Sequence, residues 1–225
     1  MDLTEQEKLA AAARAVHFVE NGMVLGLGSG STAAQAIRLI GARVRQGLKV
    51  RGIPTSHRSA DLAREEGIPV ISFDDETRID LTIDGADELT PELHLIKGGG
   101  GALLREKIVA TASARVLIIA DSRKLVPVLG RFRLPVELLP FAQRVIEAWV
   151  EDLGGRPQLR RDSHGMPVRT DQNNLLLDCD FGAIAAPREL ADQLDRIPGL
   201  IAHGLFLGLA TCALIGRGQD VQILE

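Results

Sequence analysis

The chain has 225 residues, 45% of them hydrophobic and 25% charged, which is ordinary for a globular protein and sufficient for one large domain or a large and a small one. Its formal net charge is −4 and its basic residues are dispersed, so the sequence excludes the electrostatic footprint of a nucleic-acid-binding protein. Aromatic residues make up 3% and tyrosine is absent, which also excludes a base-stacking surface.

The N-terminal half alternates predicted helices and strands. Thr4 and Glu7 have the spacing of a capping box, which predicts a helix ending near Asn21 and Gly22. Strands that alternate with helices favour βαβ units, so we predict a Rossmann-like α/β fold, a mainly parallel sheet with helices on both faces. The further predicted elements are a strand at Val24–Leu27, helices at residues 33–45, 59–67 and 102–112, and strands at residues 48–53, 69–73, 78–83, 93–96 and 115–120.

The pattern of predicted elements changes after residue 129. Prolines at positions 127, 135 and 140 indicate a boundary there, and the segment beyond has a helix at residues 141–153, strands near 158–161 and 174–180, and a helix at 187–196. We therefore predict a small α+β domain at residues 130–201, inserted before C-terminal strands. Residues 1–129 and 202–225 are then the Rossmann-like catalytic domain, with the final strands returning to its sheet.

Three features bear on the cellular compartment. Cys179 and Cys212 are far apart and belong to no C-x-x-C pair, so neither a zinc site nor a disulfide framework is indicated. The acidic N-terminus lacks the apolar core of a signal peptide. Residues 199–216 are apolar, but their glycines and His203 favour a strand–turn–strand over a membrane span, with the histidine structural. A cytoplasmic protein is the natural expectation.

Five polar clusters in the sequence each follow the end of a predicted strand. The clusters are the serine and glycine loop at residues 28–32, Thr55–Ser56, residues 84–88, residues 97–101 and residues 121–124. Because ligands of parallel α/β sheets bind beyond the carboxyl ends of the strands, these clusters predict one binding site.

The first glycine loop does not fit the known nucleotide motifs. Position 31 is serine where the dinucleotide fingerprint has its third glycine, the next strand lacks a ribose-binding acid, and no Gly-Lys-Ser/Thr follows for a phosphate-binding P-loop. A helix N-terminus with free N–H groups and three hydroxyls remains, which can cradle one phosphate or a polyol. The alternative is a tight turn capped by Ser31 or Thr32.

The D-G-A-D-E segment at residues 84–88 can chelate Mg²⁺, cap a helix or hold sugar hydroxyls, and as an isolated motif it can also be a solvated turn. No histidine or further acid at ligand spacing accompanies it, so we predict no metal.

Lys97 is followed by four glycines, which lose much entropy on ordering, so close approach of the backbone to a ligand explains them better than a flexible linker does. Glu106 in the next helix is a candidate base, although Arg105, Glu106 and Lys107 can also be a solvated face. Lys124 is a candidate phosphate or hydroxyl partner, or a surface lysine.

Together these motifs resemble the type A ribose-5-phosphate isomerases. The likeness rests on G-L-G-S-G-S-T-A at residues 26–33, D-G-A-D-E at 84–88, K-G-G-G at 97–100 with R-E-K at 105–107, and D-S-R-K at 121–124, and it extends through L-P-V-E-L-L-P at 134–140 and G-L-F at 204–206. Two departures are mild: Ser29 stands where many members have threonine, and T-D-Q-N-N at residues 170–174 differs from a frequent T-D-N-G-N.

The resemblance implies interconversion of ribose 5-phosphate and ribulose 5-phosphate without a cofactor, in the non-oxidative pentose phosphate pathway, by a homodimer or homotetramer. It implies that Glu106 is the proton acceptor, with Asp84, Asp87 and Lys97 also catalytic. The implied substrate contacts are Ser29, Gly30, Ser31, Thr32, Asp84, Gly85, Ala86, Asp87, Lys97, Gly98, Gly99, Gly100 and Lys124.

The chemistry agrees with this assignment. Aldose–ketose exchange through an enediolate needs one movable base and a stabiliser for the oxyanion, which Glu106 and Lys97 with the glycine N–H groups can supply. Two alternatives stay open. A sugar-phosphate sensor would need a DNA-binding module, and only one helix precedes the first strand; a coenzyme A transferase would need a longer adenine-binding surface.

Overall fold

A computed structural model describes residues 2–225. The helices are α1 (Leu3–Val16), α2 (Gly30–Arg45), α3 (His57–Glu65), α4 (Leu103–Thr111), α5 (Gln143–Asp152) and α6 (Pro187–Leu194). The strands are β1 (Val24–Leu27), β2 (Arg51–Pro54), β3 (Leu81–Asp84), β4 (Glu88–Leu89), β5 (Leu95–Ile96), β6 (Val116–Asp121), β7 (Leu134–Leu138), β8 (Arg156–Leu159), β9 (Leu175–Asp180), β10 (Leu200–His203), β11 (Leu205–Phe206), β12 (Cys212–Arg217) and β13 (Asp220–Leu224).

The chain divides into two compact units. Within the described residues, the first comprises residues 2–86, 105–125 and 208–225, and the second comprises residues 87–104 and 126–207. The predicted domain boundaries at 129/130 and 201/202 stay a prediction. Within residues 2–225, no helix combines the length and apolar content needed to cross a membrane.

The first unit is built on a six-stranded sheet in the order β13-β12-β6-β3-β1-β2. The pairings from β12 to β2 are all parallel, and only β13 runs antiparallel. The predicted mainly parallel α/β sheet is therefore confirmed. Strands β1, β3 and β6 are buried along their whole length, as expected for parallel strands covered on both faces.

Helix α1 packs against this sheet through small residues. Ala11, Ala12 and Ala15 are fully buried in a core that includes Leu117 of β6 and Leu214 of β12. The predicted capping box is wrong, because Asp2 is the N-cap and both Thr4 and Glu7 lie inside the helix. The helix also ends at Val16, several residues before the predicted end.

The second unit contains a four-stranded antiparallel sheet, β10-β7-β9-β8, and a small antiparallel sheet, β11-β5-β4. One core of aliphatic side chains from β7, β9, α5 and α6 holds it together. The sequence predicts no strand at β7, because the proline at position 135 indicates a boundary there. Its pairing with β10 ends at Val136, so the missing N–H of Pro135 breaks no hydrogen bond there.

Two further strand predictions were wrong. Residues 69–73 form no strand, only a single bridge from Val70 to Gly52 at the outer edge of the sheet. In the C-terminal segment, β12 and β13 join the main sheet as predicted, but β10 pairs with β7 and β11 pairs with β5.

Candidate active site

Polar side chains follow the carboxyl ends of four adjacent parallel strands in the first unit. Asp121 ends β6, Asp84 ends β3, Ser29 follows β1 and Thr55 follows β2. Neighbouring parallel strands end at the same sheet edge, so these groups share that edge. The predicted position of these four clusters at the carboxyl ends of parallel strands is confirmed, and their use as one binding site stays a prediction.

Asp84 is fixed against the first glycine loop. Its carboxylate is 2% exposed, and its Oδ1 accepts hydrogen bonds from the N–H groups of Ser29 at 3.0 Å and Gly85 at 2.7 Å. A Cβ at Gly28 would lie 2.2 Å from the same oxygen, so only glycine allows this approach. The strand end and the loop therefore hold the carboxylate in one orientation.

The Ser29 hydroxyl belongs to a buried network. Its Oγ lies 2.7 Å from Thr55 Oγ1, 2.8 Å from Ser56 Oγ and 3.1 Å from Ser59 Oγ. Ser56 is also the N-cap of α3 and accepts a hydrogen bond from the N–H of Ser59. Sequence reasoning marked Thr55 and Ser56 but missed Ser59, although the Ser-x-x-Ser spacing at a helix start was a usable signal.

The loop leads directly into α2, which begins at Gly30, three residues before the predicted start. Ser29 is the N-cap, so neither Ser31 nor Thr32 caps the helix. Gly30 has a φ of 90° and, like Ser31, is exposed. First-turn N–H groups of a helix lack intrahelical acceptors, so this turn of a 16-residue helix is suited to bind an anion.

Glu106 lies in the first turn of α4 and is 6% exposed. Val109 and Ala110, three and four residues further on, are also buried, so the three side chains share one helix face. Val109 packs with Val24 and Ile79, next to strands β1 and β3. The alternative of a solvated charged face is thus wrong for Glu106.

Lys124 closes a short 3₁₀ turn that follows β6, where Asp121 accepts hydrogen bonds from the backbone N–H and the Nε of Arg123. Lys124 is half-buried, and across residues 2–225 it has no hydrogen-bond or ion-pair partner. A partly desolvated ammonium of this kind is available to an anion.

Glu7 of α1 is a buried acid that sequence reasoning misread. Its carboxylate accepts hydrogen bonds from the N–H and hydroxyl of Ser122 at 2.9 and 2.8 Å and from the N–H of Gly218 at 3.1 Å. Burial raises the pKa of Glu7, but these hydrogen bonds outweigh burial and hold the pKa below its ordinary value. Its position four residues before buried Ala11 was the signal that could have placed it inside.

In the second unit, Asp87 accepts a hydrogen bond from the N–H of Gly99 at 2.7 Å. A Cβ at Gly99 would lie 2.6 Å from Asp87 Oδ1, so glycine is needed here as well. Glu88 has a different role. It is 1% exposed and accepts hydrogen bonds from the N–H groups of Gly130 at 2.8 Å and Phe132 at 2.7 Å, which fixes that loop.

Lys97 is 4% exposed, and its Nζ lies 5.6 Å from the centre of the Phe206 ring. It follows β5, so the prediction that it ends a strand of the parallel sheet was wrong. The loop after it is sharply turned, with φ of 101° at Gly98 and 81° at Gly101. Positive φ at two positions explains two of the four glycines.

Other groups carry structural roles. His203 is 2% exposed, its Nε2 lies 3.1 Å from Asp195, and its Nδ1 accepts from the N–H of Leu205, as expected of a structural histidine. Cys179 and Cys212 are buried thiols, and burial raises the pKa of Cys179 to about 12. In the part of the chain from residue 2 onward, no group of three acidic, histidine or cysteine side chains could hold a metal ion.

Comparison with known proteins identifies relatives along nearly the whole chain. Residues 51–220 match the sequence model of the family described as ribose 5-phosphate isomerase A (phosphoriboisomerase A). The ribose-5-phosphate isomerase A of Parvibaculum lavamentivorans is 48% identical over 98% of both chains. That of Chloroflexus aurantiacus is 52% identical, over 97% of this chain and 93% of the relative.

Solved structures give the same picture. A D-ribose-5-phosphate isomerase solved in complex with phospho-erythronic acid superposes with a TM-score of 0.96 at 37% identity, covering 99% of both chains. The ribose 5-phosphate isomerase A of Methanocaldococcus jannaschii superposes with a TM-score of 0.93 at 39% identity, covering 97% of both chains.

Proposed function

The chain belongs to the ribose 5-phosphate isomerase A family, and from this premise we propose that it interconverts D-ribose 5-phosphate and D-ribulose 5-phosphate by proton transfer through an enediolate. The observation that carries the proposal is the match to relatives of nearly equal length over 98% of the chain. It decides against the sugar-phosphate sensor and the coenzyme A transferase.

Glu106 is the proposed base that carries the proton between C1 and C2 of the sugar. Its burial in the first turn of α4 supports this role, because a carboxylate withdrawn from water is a stronger base than an exposed one. Glu7 is unsuited to the same role, because its hydrogen bonds to Ser122 and Gly218 hold its pKa below the ordinary value. Glu88 is unsuited because its carboxylate oxygens are occupied by the N–H groups of Gly130 and Phe132.

The substrate phosphate and hydroxyls are proposed to bind along the strand-end loops. The open first turn of α2, at Gly30, Ser31 and Thr32, supports phosphate binding, and the half-buried ammonium of Lys124 can add a charge. Ser29, Asp84, Gly85 and Ala86 complete this group, with ring opening and hydroxyl proton transfer assigned to Asp84 or Asp87.

Lys97 and the N–H groups of Gly98 and Gly100 are the proposed stabilisers of the enediolate oxygen, while Gly99 contributes through its hydrogen bond to Asp87. Burial of Lys97 supports this role, because a positive charge stabilises an oxyanion more strongly where water is excluded. Asp87, which already accepts a hydrogen bond from Gly99, is assigned to a sugar hydroxyl. No step in this scheme uses a cofactor or a metal ion.

The direct test is incubation of the purified protein with ribose 5-phosphate while ketopentose formation is followed. We expect the wild-type protein to turn over ribose 5-phosphate, and absence of turnover would refute the isomerase assignment. The Glu106→Gln variant should still bind ribose 5-phosphate but lose about 10²–10⁴-fold in kcat, the usual cost of removing a general base. Retention of more than a few per cent of wild-type kcat would place the base elsewhere.

A homodimer or homotetramer is proposed for the assembly. An apolar surface in the second unit supports it, formed by Leu139, Phe141, Val145, Trp149 and Ile201, all exposed by more than a third. Phe141→Glu should shift the mass measured by light scattering towards the monomer, whereas Met166→Glu, an exposed apolar position outside this surface, should not. An unchanged mass for Phe141→Glu would remove this surface from the assembly.

A cytoplasmic location is proposed as well. The two cysteines are buried, unpaired thiols, which suits a reducing compartment. Fractionation of cells that express a tagged chain would test it, and recovery from an extracytoplasmic fraction would contradict it.

A further inference from the structure

Arg160 connects the edge of the four-stranded sheet to the glycine loop within the second unit. Its Nη1 donates hydrogen bonds to the carbonyl oxygens of Gly98 at 3.0 Å and Gly99 at 3.1 Å. Its Nε donates to Asp178 Oδ2 at 2.9 Å, and its Nη2 donates to Asp178 Oδ1. The Arg160 side chain is only 14% exposed.

The two carbonyl contacts determine where the loop's N–H groups point. In a trans peptide the C=O of one residue and the N–H of the next point in opposite directions. With the oxygens of Gly98 and Gly99 turned towards Arg160, the N–H groups of Gly99 and Gly100 are turned away from it. The N–H of Gly99 meets the carboxylate of Asp87, and the N–H of Gly100, which is exposed, has no acceptor within residues 2–225.

We propose that Arg160, anchored by Asp178, is a positioning residue that holds the glycine loop so that the Gly99 N–H meets Asp87 and the Gly100 N–H is left open to the enediolate oxygen. This inference rests on the proposed function, in which the Gly100 N–H is one of the groups that stabilise that oxygen. Arg160 itself does not touch the substrate. Its contacts restrict the backbone of the loop, which four successive glycines would otherwise leave flexible. Hydrogen-bond donors that are already fixed in position stabilise a transition state more strongly than mobile donors do.

The geometry requires arginine specifically. One edge of the guanidinium, Nε with Nη2, is occupied by the carboxylate of Asp178, and Nη1 remains for the two carbonyls. A lysine ammonium is a point charge on a flexible chain and cannot reproduce this fork.

Steady-state kinetics with ribose 5-phosphate test the inference. Arg160→Ala should lower kcat by about 10–100-fold and change KM by less than about threefold, because the oriented N–H groups act mainly in the transition state. Arg160→Lys should be as impaired as Arg160→Ala. The matched control is Arg161→Ala, since this neighbouring arginine contacts Gly165 and not the glycine loop, and it should keep wild-type kcat and KM.

Chemical rescue separates positioning from a general loss of stability. Arg160 and Asp178 line a cavity of about 600 Å³, which gives small cations access to the position of the missing side chain. Millimolar methylguanidinium should restore part of the kcat of Arg160→Ala, and methylammonium should not. Equal rescue by both, or wild-type kcat in Arg160→Ala, would overturn the inference.

Hydrogen exchange at Gly99 and Gly100 gives a readout that does not depend on activity. In Arg160→Ala the Gly99 N–H should exchange at least about tenfold faster than in wild type or in Arg161→Ala. Unchanged exchange would overturn the inference even if activity fell.

If Arg160→Ala does not fold, Asp178→Asn, which weakens the anchor, should show the same changes in smaller degree, and wild-type behaviour of this variant would also overturn the inference. An inactive wild-type enzyme would refute the proposed function, whereas faster exchange would still support the loop contact.

Discussion

Gly28→Ala is expected to displace Asp84 and so to test whether the position of that carboxylate matters. The new Cβ would lie 2.2 Å from Asp84 Oδ1 and 2.6 Å from Asp84 Cα, where ordinary contacts begin at 3.4 Å. The groups must therefore separate by roughly 1 Å, and part of that movement falls on the backbone of β3. The φ of Gly28 is not positive, so the effect comes from contact and not from backbone conformation.

The magnitude follows from this contact. Overpacking of this kind costs about 1–3 kcal/mol, which lowers the unfolding midpoint by roughly 4–8 °C for a loss of about 2 kcal/mol. A catalytic group misplaced by about 1 Å can cost ~10²-fold in rate. We therefore expect kcat for ribose 5-phosphate to fall by about that factor, measured by ketopentose formation.

The comparison for stability is Gly85→Ala, whose Cβ would have its nearest neighbour at 3.8 Å and should leave the midpoint nearly unchanged. If Gly28→Ala kept both the wild-type midpoint and the wild-type kcat, this result would refute the short distance between Gly28 and the Asp84 carboxylate. A lowered midpoint with wild-type kcat would instead refute the catalytic role of Asp84.

Three further predictions concern charged and titrating groups. Lys124→Ala should raise KM about tenfold with a smaller effect on kcat, because phosphate charge is bound alike in ground and transition states; a pure kcat effect in steady-state assays would contradict this. Glu7→Gln should lower the urea midpoint at pH 7, and its difference from wild type should shrink as pH falls below 4.5, because the stabilisation from a carboxylate with a lowered pKa is lost as pH falls through that pKa. A difference that is constant from pH 7 to pH 3 would refute the hydrogen bonds assigned to Glu7. The Cys179 thiol, with a pKa of about 12, should resist alkylation at pH 8 in the native protein and react once the chain is unfolded; rapid native labelling found by mass spectrometry would show that it is not buried.

The elements that the sequence predicts best are those whose local pattern agrees with their tertiary setting. Val24–Leu27 and Val116–Asp121 are apolar runs that become buried parallel strands, so composition and burial agree. Residues 69–73 have a similar composition, but the chain lies beyond β2 at the edge of the sheet and pairs only through Val70. Whether an apolar run finds a partner strand is decided by its neighbours, which local sequence does not record.

The candidate site divides in the same way. Strand ends and glycine loops are local features, so Asp84, Lys97 and Glu106 could be proposed as site residues from motifs and spacing. Glu7 and Arg160 could not be assigned, because the contacts that define their roles, of Glu7 with Ser122 and of Arg160 with Gly98 and Gly99, join residues more than 60 positions apart. From the sequence alone, a charged residue that is buried by such distant partners cannot be distinguished from a charged residue on the surface.

The three acids of the D-G-A-D-E motif have different hydrogen-bond partners, which their spacing in the sequence does not reveal. The acids each accept backbone N–H groups from a different loop: Asp84 from the loop of Gly28, Asp87 from the loop of Gly99, and Glu88 from a third. At Gly28 and Gly99 a side chain would collide with the acid that the loop binds. These glycines and acids therefore act as pairs, and the observed hydrogen bonds of Asp84 and Asp87 form only because the partner loops carry no side chain at the point of contact. Replacing either member of a pair should thus disturb the other, so the two single variants of a pair should be non-additive in their effect on kcat.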